Sequence, residues 1–254
     1  MKRVRVLPAL AVLALMLVGA IWQPHDPDAI DLALRFAPPS FGHSLGTDQL
    51  GRDVLARLMV GGWRTAVVLG CVAAIGMVGG SVFGIAAAML GGWRAALILR
   101  TAEMFIVVPT LVMALTATAL FGLNPVTAGA ALGLAGIGPY TLFAHALARR
   151  LLGEPFVQAA RALGVGGPGL VLRHLVPNMT PVLFAHIGAN AGLATTAYAA
   201  LAFLGLGADP SRPDWGAMLF EYRAFIFDHP LLMVWPGLAI AVVAATLNAA
   251  FDAD

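Results

Sequence analysis

Six mostly apolar stretches, each close to the ~20 residues a helix needs to cross a bilayer, constrain this chain more than any other feature. They run roughly over Leu7–Trp22, Thr65–Leu90, Ala96–Phe121, Val126–Ala148, Pro177–Leu206 and Pro230–Phe251. Of the 254 residues 60% are hydrophobic and 11% charged. A soluble domain carries about 25% charged residues, so a soluble globule is excluded. The expectation is an all-α polytopic membrane protein with six transmembrane helices. Residues 1–64 would supply the first helix and an outer segment, and residues 65–254 a five-helix core. The first stretch, with Lys2, Arg3 and Arg5 ahead of it, can also be read as a secretory leader.

Orientation follows from where the basic residues fall. With the N-terminus in the cytoplasm, the inner segments hold Lys2, Arg3, Arg5, Arg94, Arg100, Arg149, Arg150, Arg161 and Arg173. The outer ones hold Arg35, Arg52, Arg57, Arg64, Arg212 and Arg223. The acids Asp26, Asp28, Asp31, Asp48, Asp53, Asp209, Asp214, Glu221 and Asp228 also fall outside. Both termini are therefore expected in the cytoplasm.

Composition closes off several function classes. Lys2 is the only lysine and is not in a Gly-rich phosphate loop, so this chain alone is no P-loop ATPase. One cysteine, Cys71, excludes an internal disulfide and any Cys-cluster metal site. A net charge of +2 spread over both signs gives nucleic-acid binding no support. Four serines without a G-x-S-x-G turn or paired buried carboxylates offer no catalytic set. The six histidines (His25, His43, His145, His174, His186, His229) include no pair at i+3 or i+4, so no metal site is expected.

The inner loop, residues 151–177, carries a pattern. Pro155 suits a first helical position, Glu154 complements the helix dipole, and Gly164 is a natural stop. Phe156, Ala159, Ala160 and Leu163 share one face. A second short helix is expected from Gly169 to Val176, ending at Pro177. Small residues on one face would let another protein approach closely, although an interfacial loop without a partner fits the same pattern.

In the outer segment, Thr47 or Asp48 reads as the N-cap of an amphipathic helix to about Val60. Leu50, Val54, Leu55, Leu58 and Met59 would face inward, with Arg52, Asp53 and Arg57 opposite and Asp53–Arg57 as an i,i+4 pair. Such a helix would lie on the membrane surface, as a brace or near a docking face for a binding protein. Arg100 and Glu103 read as a local ion pair, and Pro109 permits a bend. His186, Asn190, Thr195 and Tyr198 form a polar set that could line a path or hold helices together.

Several of these stretches together resemble ABC importer permeases. Gln158-Ala159-Ala160, Gly164 and Val176-Pro177 are similar in spacing to that family's E-A-A loop, with Gln158 for the usual Glu. His43 to Leu58 is similar to the G-T-D-x-x-G-R-D signature of the dipeptide/oligopeptide/nickel branch. Leu201–Gly207, Trp215-Gly216 and Pro236–Ile240 resemble its S-F-L-G-L-G, W-G and P-G-L-A-I run. Departures are Tyr198 where Glu is common, Ala202 for Ser, and a tail that stops at Asp254 soon after Asn248 and Asp252. Met104-Phe105 and Trp235-Pro236 look somewhat like nickel-type members.

The resemblance implies an inner-membrane permease subunit importing short peptides, nickel or a metal chelate. It implies a second permease, two ATPase subunits and an extracytoplasmic substrate-binding protein as partners. ATP and Mg would sit on the ATPases, with no cofactor on this chain. Glu154, Phe156, Gln158, Ala159, Ala160, Gly164, Arg173, His174 and Pro177 would form the coupling loop. An ATP-independent channel or secondary carrier is the competing class.

Overall fold

Apolar runs without a β-period leave helices as the means of pairing backbone polar groups internally, and helices are what the chain forms. The computed structural model describes residues 2–205 and 212–251, the side chains of 2–6, 189 and 251 excepted. Leu206, Gly207, Asp209, Pro210, Asp252 and Asp254 lie outside the described residues.

The principal helices are α1 (Lys2–Val18), α2 (Val54–Val72), α3 (Gly80–Leu90), α4 (Gly92–Val107), α5 (Thr110–Phe121) and α6 (Pro125–Leu152). They are followed by α7 (Pro155–Ala162), α8 (Gly167–Leu170), α9 (Val176–Phe203), α10 (Trp215–Tyr222) and α11 (Leu231–Phe251). Among the described residues there is no strand, only an isolated antiparallel bridge between Thr47 and Asp53.

Among the described residues, three helices are long and apolar enough to cross a membrane: Val54–Leu90, Pro125–Leu152 and Leu231–Ala250. A fourth candidate is α4 with α5, which meet at 79°. The apolar part of α1, Leu7–Val18, is shorter than a crossing helix. Three boundaries differ from the expectation, each for a local reason.

The expected surface helix from Asp48 is not a separate element. The helix starts at Val54, capped by Asp53, whose Oδ1 accepts from the Ala56 N–H at 2.7 Å. It then runs 37 residues to Leu90. A seven-residue π turn, Ala73–Gly79, joins α2 to α3 without ending the helix. The division at residue 64 falls inside this element.

The stretch Ala96–Phe121 is expected to be one span with a permitted bend, but it is broken. Pro109 removes an N–H and steers Val108 to extended backbone, φ −81° and ψ 122°, so α4 ends and α5 restarts.

Pro177 was expected to end a short helix, yet the helix passes through it. A π turn over Val171–Leu175 precedes α9, and Pro177 falls in the first turn of α9. The wider π turn leaves room for the proline ring, and the missing N–H costs little at that position.

α6 is central, packing against α2, α3, α4 and α5. The seam with α3 depends on small residues: a Cβ added at Gly84 would stand 2.5 Å from the Thr141 carbonyl oxygen. Such close backbone approach is how helices gain packing energy where lipid offers no hydrophobic drive. A second core joins α1, α2, α10 and α11 through Met16, Val54, Trp215, Met218 and Val243.

Candidate functional site

Two regions outside the long apolar helices carry chemistry, and the 37-residue helix Val54–Leu90 holds them apart. Val54 packs in the core with Trp215 and Met218, while Met89 packs against the α7–α8 loop. At 1.5 Å per residue, about 50 Å of helix separates them.

At the α7 end, Val157, Ala160 and Leu170 form a small core with Met89, Leu152 and Val165. The α7 face is therefore divided. Ala160 turns inward with Val157, whereas Phe156, Ala159 and Leu163 are exposed, Leu163 to 86%. Glu154 is the N-cap residue, and its carbonyl accepts from the Val157 and Gln158 N–H groups. The Gln158 side chain donates to the Gly153 carbonyl at 3.2 Å. Gly164 has φ +84°, the left-handed conformation that closes a helix, and stands in the open. Arg173 is exposed, and the His174 ring lies 6.5 Å from that of Phe156. Pro177 is exposed at the start of α9. The fold thus gathers the sequence-selected residues of this loop into one compact unit with an uncovered apolar edge.

The polar set of α9 is not gathered in the same way. His186 stacks on Phe143, with ring centroids 4.1 Å apart, and meets Tyr140 edge-on. Asn190 donates to the His186 carbonyl at 2.8 Å, and Thr195 to that of Ala191 at 2.9 Å. Thr195 and Tyr198 are each 1% exposed, Tyr198 among Val68, Val72 and Leu201. Only His186 and Asn190 are half-open. Arg100 and Glu103 form the expected exposed pair at 2.8 Å.

The opposite end holds a cluster that sequence periodicity misplaced. Arg52 and Arg57, expected on a solvent face, are buried. Arg52 Nε donates to Asp48 Oδ2 at 2.7 Å, and its Nη2 to Glu221 Oε2 at 2.6 Å. Arg57 lies 3.5 Å from Glu221 Oε2, 3.8 Å from Asp48 Oδ2 and 3.7 Å from Asp28 Oδ1. Its Nη1 also donates to the Pro27 carbonyl. Asp48 Oδ1 accepts from the Leu50 and Arg52 N–H groups, so it caps a turn rather than a helix. The expected Asp53–Arg57 pair does not form, because the two face different partners.

These charges are buried because α10 and residues 23–53 fold over the start of α2 and bring Glu221 and Asp28, which are remote in sequence. Burial alone would lower the Arg52 pKa, but Asp48 and Glu221 hold it above its ordinary value. Nearby, Asp214 caps α10 through the Gly216 N–H at 3.1 Å and sits 3.7 Å from Arg64 Nε. Burial pushes its carboxyl up, against the opposing pull of Tyr198, Arg64 and the Gly216 N–H. Trp215 Nε1 donates to the Leu58 carbonyl at 2.9 Å and ties α10 to α2.

One further group has no signal in residue spacing. His25, His43 and Asp53 converge, with both histidine Nδ1 atoms directed at Asp53 Oδ2, at 3.4 Å and 2.8 Å.

An all-helical bundle with long apolar helices defines an integral membrane component. Residues 80–253 match the binding-protein-dependent transport system inner membrane component family, and the chain belongs to that family. It is 33% identical to the probable D,D-dipeptide transport system permease protein DdpC of Escherichia coli, over 93% of this chain and 81% of that protein. It is also 33% identical to the nickel transport system permease protein NikC of the same species, over 96% and 90%. Identity to the dipeptide transport system permease protein DppC of Alkalihalophilus pseudofirmus is 29%, over 94% and 77%.

Proposed function

We propose that this chain is one half of the membrane pathway of an ATP-binding-cassette importer for short peptides, nickel or a metal chelate. It crosses the inner membrane six times with both termini in the cytoplasm. It works with a second permease, two ATPase subunits and an extracytoplasmic binding protein. ATP and Mg bind on the ATPases, and this chain performs no bond chemistry.

The observation that supports the coupling role best is the exposed apolar edge Phe156–Ala159–Leu163 on a loop whose other face is packed on Met89 and Leu152. An edge seated on a groove of an ATPase would pass force into α3 and α6. Through the unbroken helical turn Val171–Leu175 it would also move α9. ATP-driven closure of the ATPase pair then opens the path outward, and reopening turns the substrate inward. The charge cluster at the far end of α2 would lie outside, where residues 23–53 and α10 are held as one unit beneath the binding protein. His186 and Asn190, the half-open members of the α9 set, are the proposed path-lining residues. Thr195 and Tyr198 would support them from the packed side.

The substrate class is tested by uptake of radiolabelled nickel and of dipeptides in a strain deleted for this chain and complemented with it. Restoration of neither would overturn the importer assignment for these cargoes.

A further inference from the structure

His25, His43 and Asp53 are 28 residues apart at most in sequence, and no two have the spacing of ligands on one helix face. Three independent features bring them together. Asp53 is fixed as the α2 N-cap, with Oδ1 committed to the Ala56 N–H and Oδ2 turned toward the two histidines. His43 is carried back to it by the turn that closes through the Thr47–Asp53 bridge and the Val54 N–H to Gly46 carbonyl bond. His25 sits just before Pro27 and Asp28, both of which Arg57 holds.

The result exceeds what hydrogen bonding requires. The His43–Asp53 contact at 2.8 Å satisfies Oδ2. His25 is 42% exposed and free to bond water, yet its Nδ1 is aimed at the same oxygen from 3.4 Å. The rings are 4.7 Å apart and tilted by 33°. One ligand atom from each of the three residues falls within 4.8 Å of the others. Two donors ~2.1 Å from one tetrahedral ion are separated by ~3.4 Å, so small side-chain rotations are enough to admit one.

We propose that His25, His43 and Asp53 bind a divalent transition-metal cation, coordinated by two imidazole nitrogens and one carboxylate oxygen. Imidazole donors select ions such as zinc, nickel or copper over magnesium and calcium. Binding shifts each Nδ1 proton to Nε2, so that Nδ1 presents its lone pair. Asp53 keeps its capping bond through Oδ1 and ligates through Oδ2. The partial positive charge at the helix start opposes a cation, but a full carboxylate charge in contact outweighs it. The exposed edge of His25 is the entry route, and water completes the coordination. The ion would pin residues 23–53 to the start of α2, whatever cargo crosses the membrane and whether or not α7 docks an ATPase.

The test uses the full chain in detergent, without an oligohistidine tag, dialysed against zinc and separately loaded with one equivalent of copper(II). One zinc per chain is expected, with a copper spin-echo spectrum showing coupling to two imidazole nitrogens. Loss of even an outer-shell partner costs about 10–100-fold in metal affinity, so His25→Ala or His43→Ala should weaken zinc binding by at least about tenfold. Asp53→Asn should do the same while keeping the cap, since Asn is as good an N-cap as Asp. Zinc affinity unchanged in the histidine variants would overturn the proposal. So would a wild-type copper spectrum without imidazole coupling, a reading that holds even if a variant fails to fold.

Discussion

Arg52 carries more of the outer cluster than any other side chain, since its guanidinium bridges Asp48 and Glu221 at 2.7 and 2.6 Å while 5% exposed. With Arg57 it balances two carboxylates with two guanidiniums. Arg52→Met would leave Asp48 and Glu221 sharing Arg57, and breaking such a buried pair costs about 3–5 kcal/mol. Thermal unfolding in detergent should show it as a large fall in midpoint. A loss below about 1 kcal/mol would mean that the cluster behaves like a surface pair. Asp214 gives a pH signature. Its pKa is raised by burial, so the folded state prefers it protonated. Ionising it opposes folding, and that penalty is relieved as pH falls through the raised pKa. Asp214→Asn keeps the cap and removes the titration. The stability of the wild type relative to this variant should therefore rise as pH drops from neutral, and a pH-independent difference would contradict the reading. Just beyond α7, any side chain placed at Gly164 would be strained by roughly 1–3 kcal/mol, because φ there is +84°. Ala159 is helical and exposed, so Ala159→Glu should abolish ATP-driven uptake while the melting of the isolated chain stays unchanged. The residue types at both ends were legible in the chain, but the burial of Arg52 and Arg57 was not. Their partner Glu221 lies more than a hundred positions away, and no local period reports it.

At the level of elements, the α3–α6 seam makes a sign-dependent prediction. Gly84→Ala would press a methyl onto the Thr141 carbonyl and the His145 N–H, both backbone, and should cost about 1–3 kcal/mol. Gly70→Ala, on the same long helix with nothing within 4 Å, should be neutral or stabilising by up to about 1 kcal/mol. Equal effects at the two sites, read from unfolding of the isolated chain, would contradict the packing described. Apolar runs revealed α6 and α11 to within a few residues, because the hydrophobic signal is strong there, and the more polar α9 was bounded by Pro177 and the run to Phe203. The start of α2, the break at Pro109 and the passage through Pro177 were set by backbone details that composition does not express. An Asx turn at Asp48 displaced the expected cap to Asp53, and π turns absorbed a helix junction and a proline.

At the scale of the molecule, a polar cluster and a compact loop occupy opposite ends of one 37-residue helix. That arrangement suits a device that receives substrate at one face and force at the other. The claim on which this rests is that α7 meets an ATPase in the cytoplasm. The most direct measurement is site-specific photocross-linking from position 159 in the assembled importer in native membranes. The expected result is an ATP-sensitive adduct with the nucleotide-hydrolysing subunit, formed at the cytoplasmic face. Adducts with lipid alone, or labelling of position 159 from outside intact cells, would contradict it.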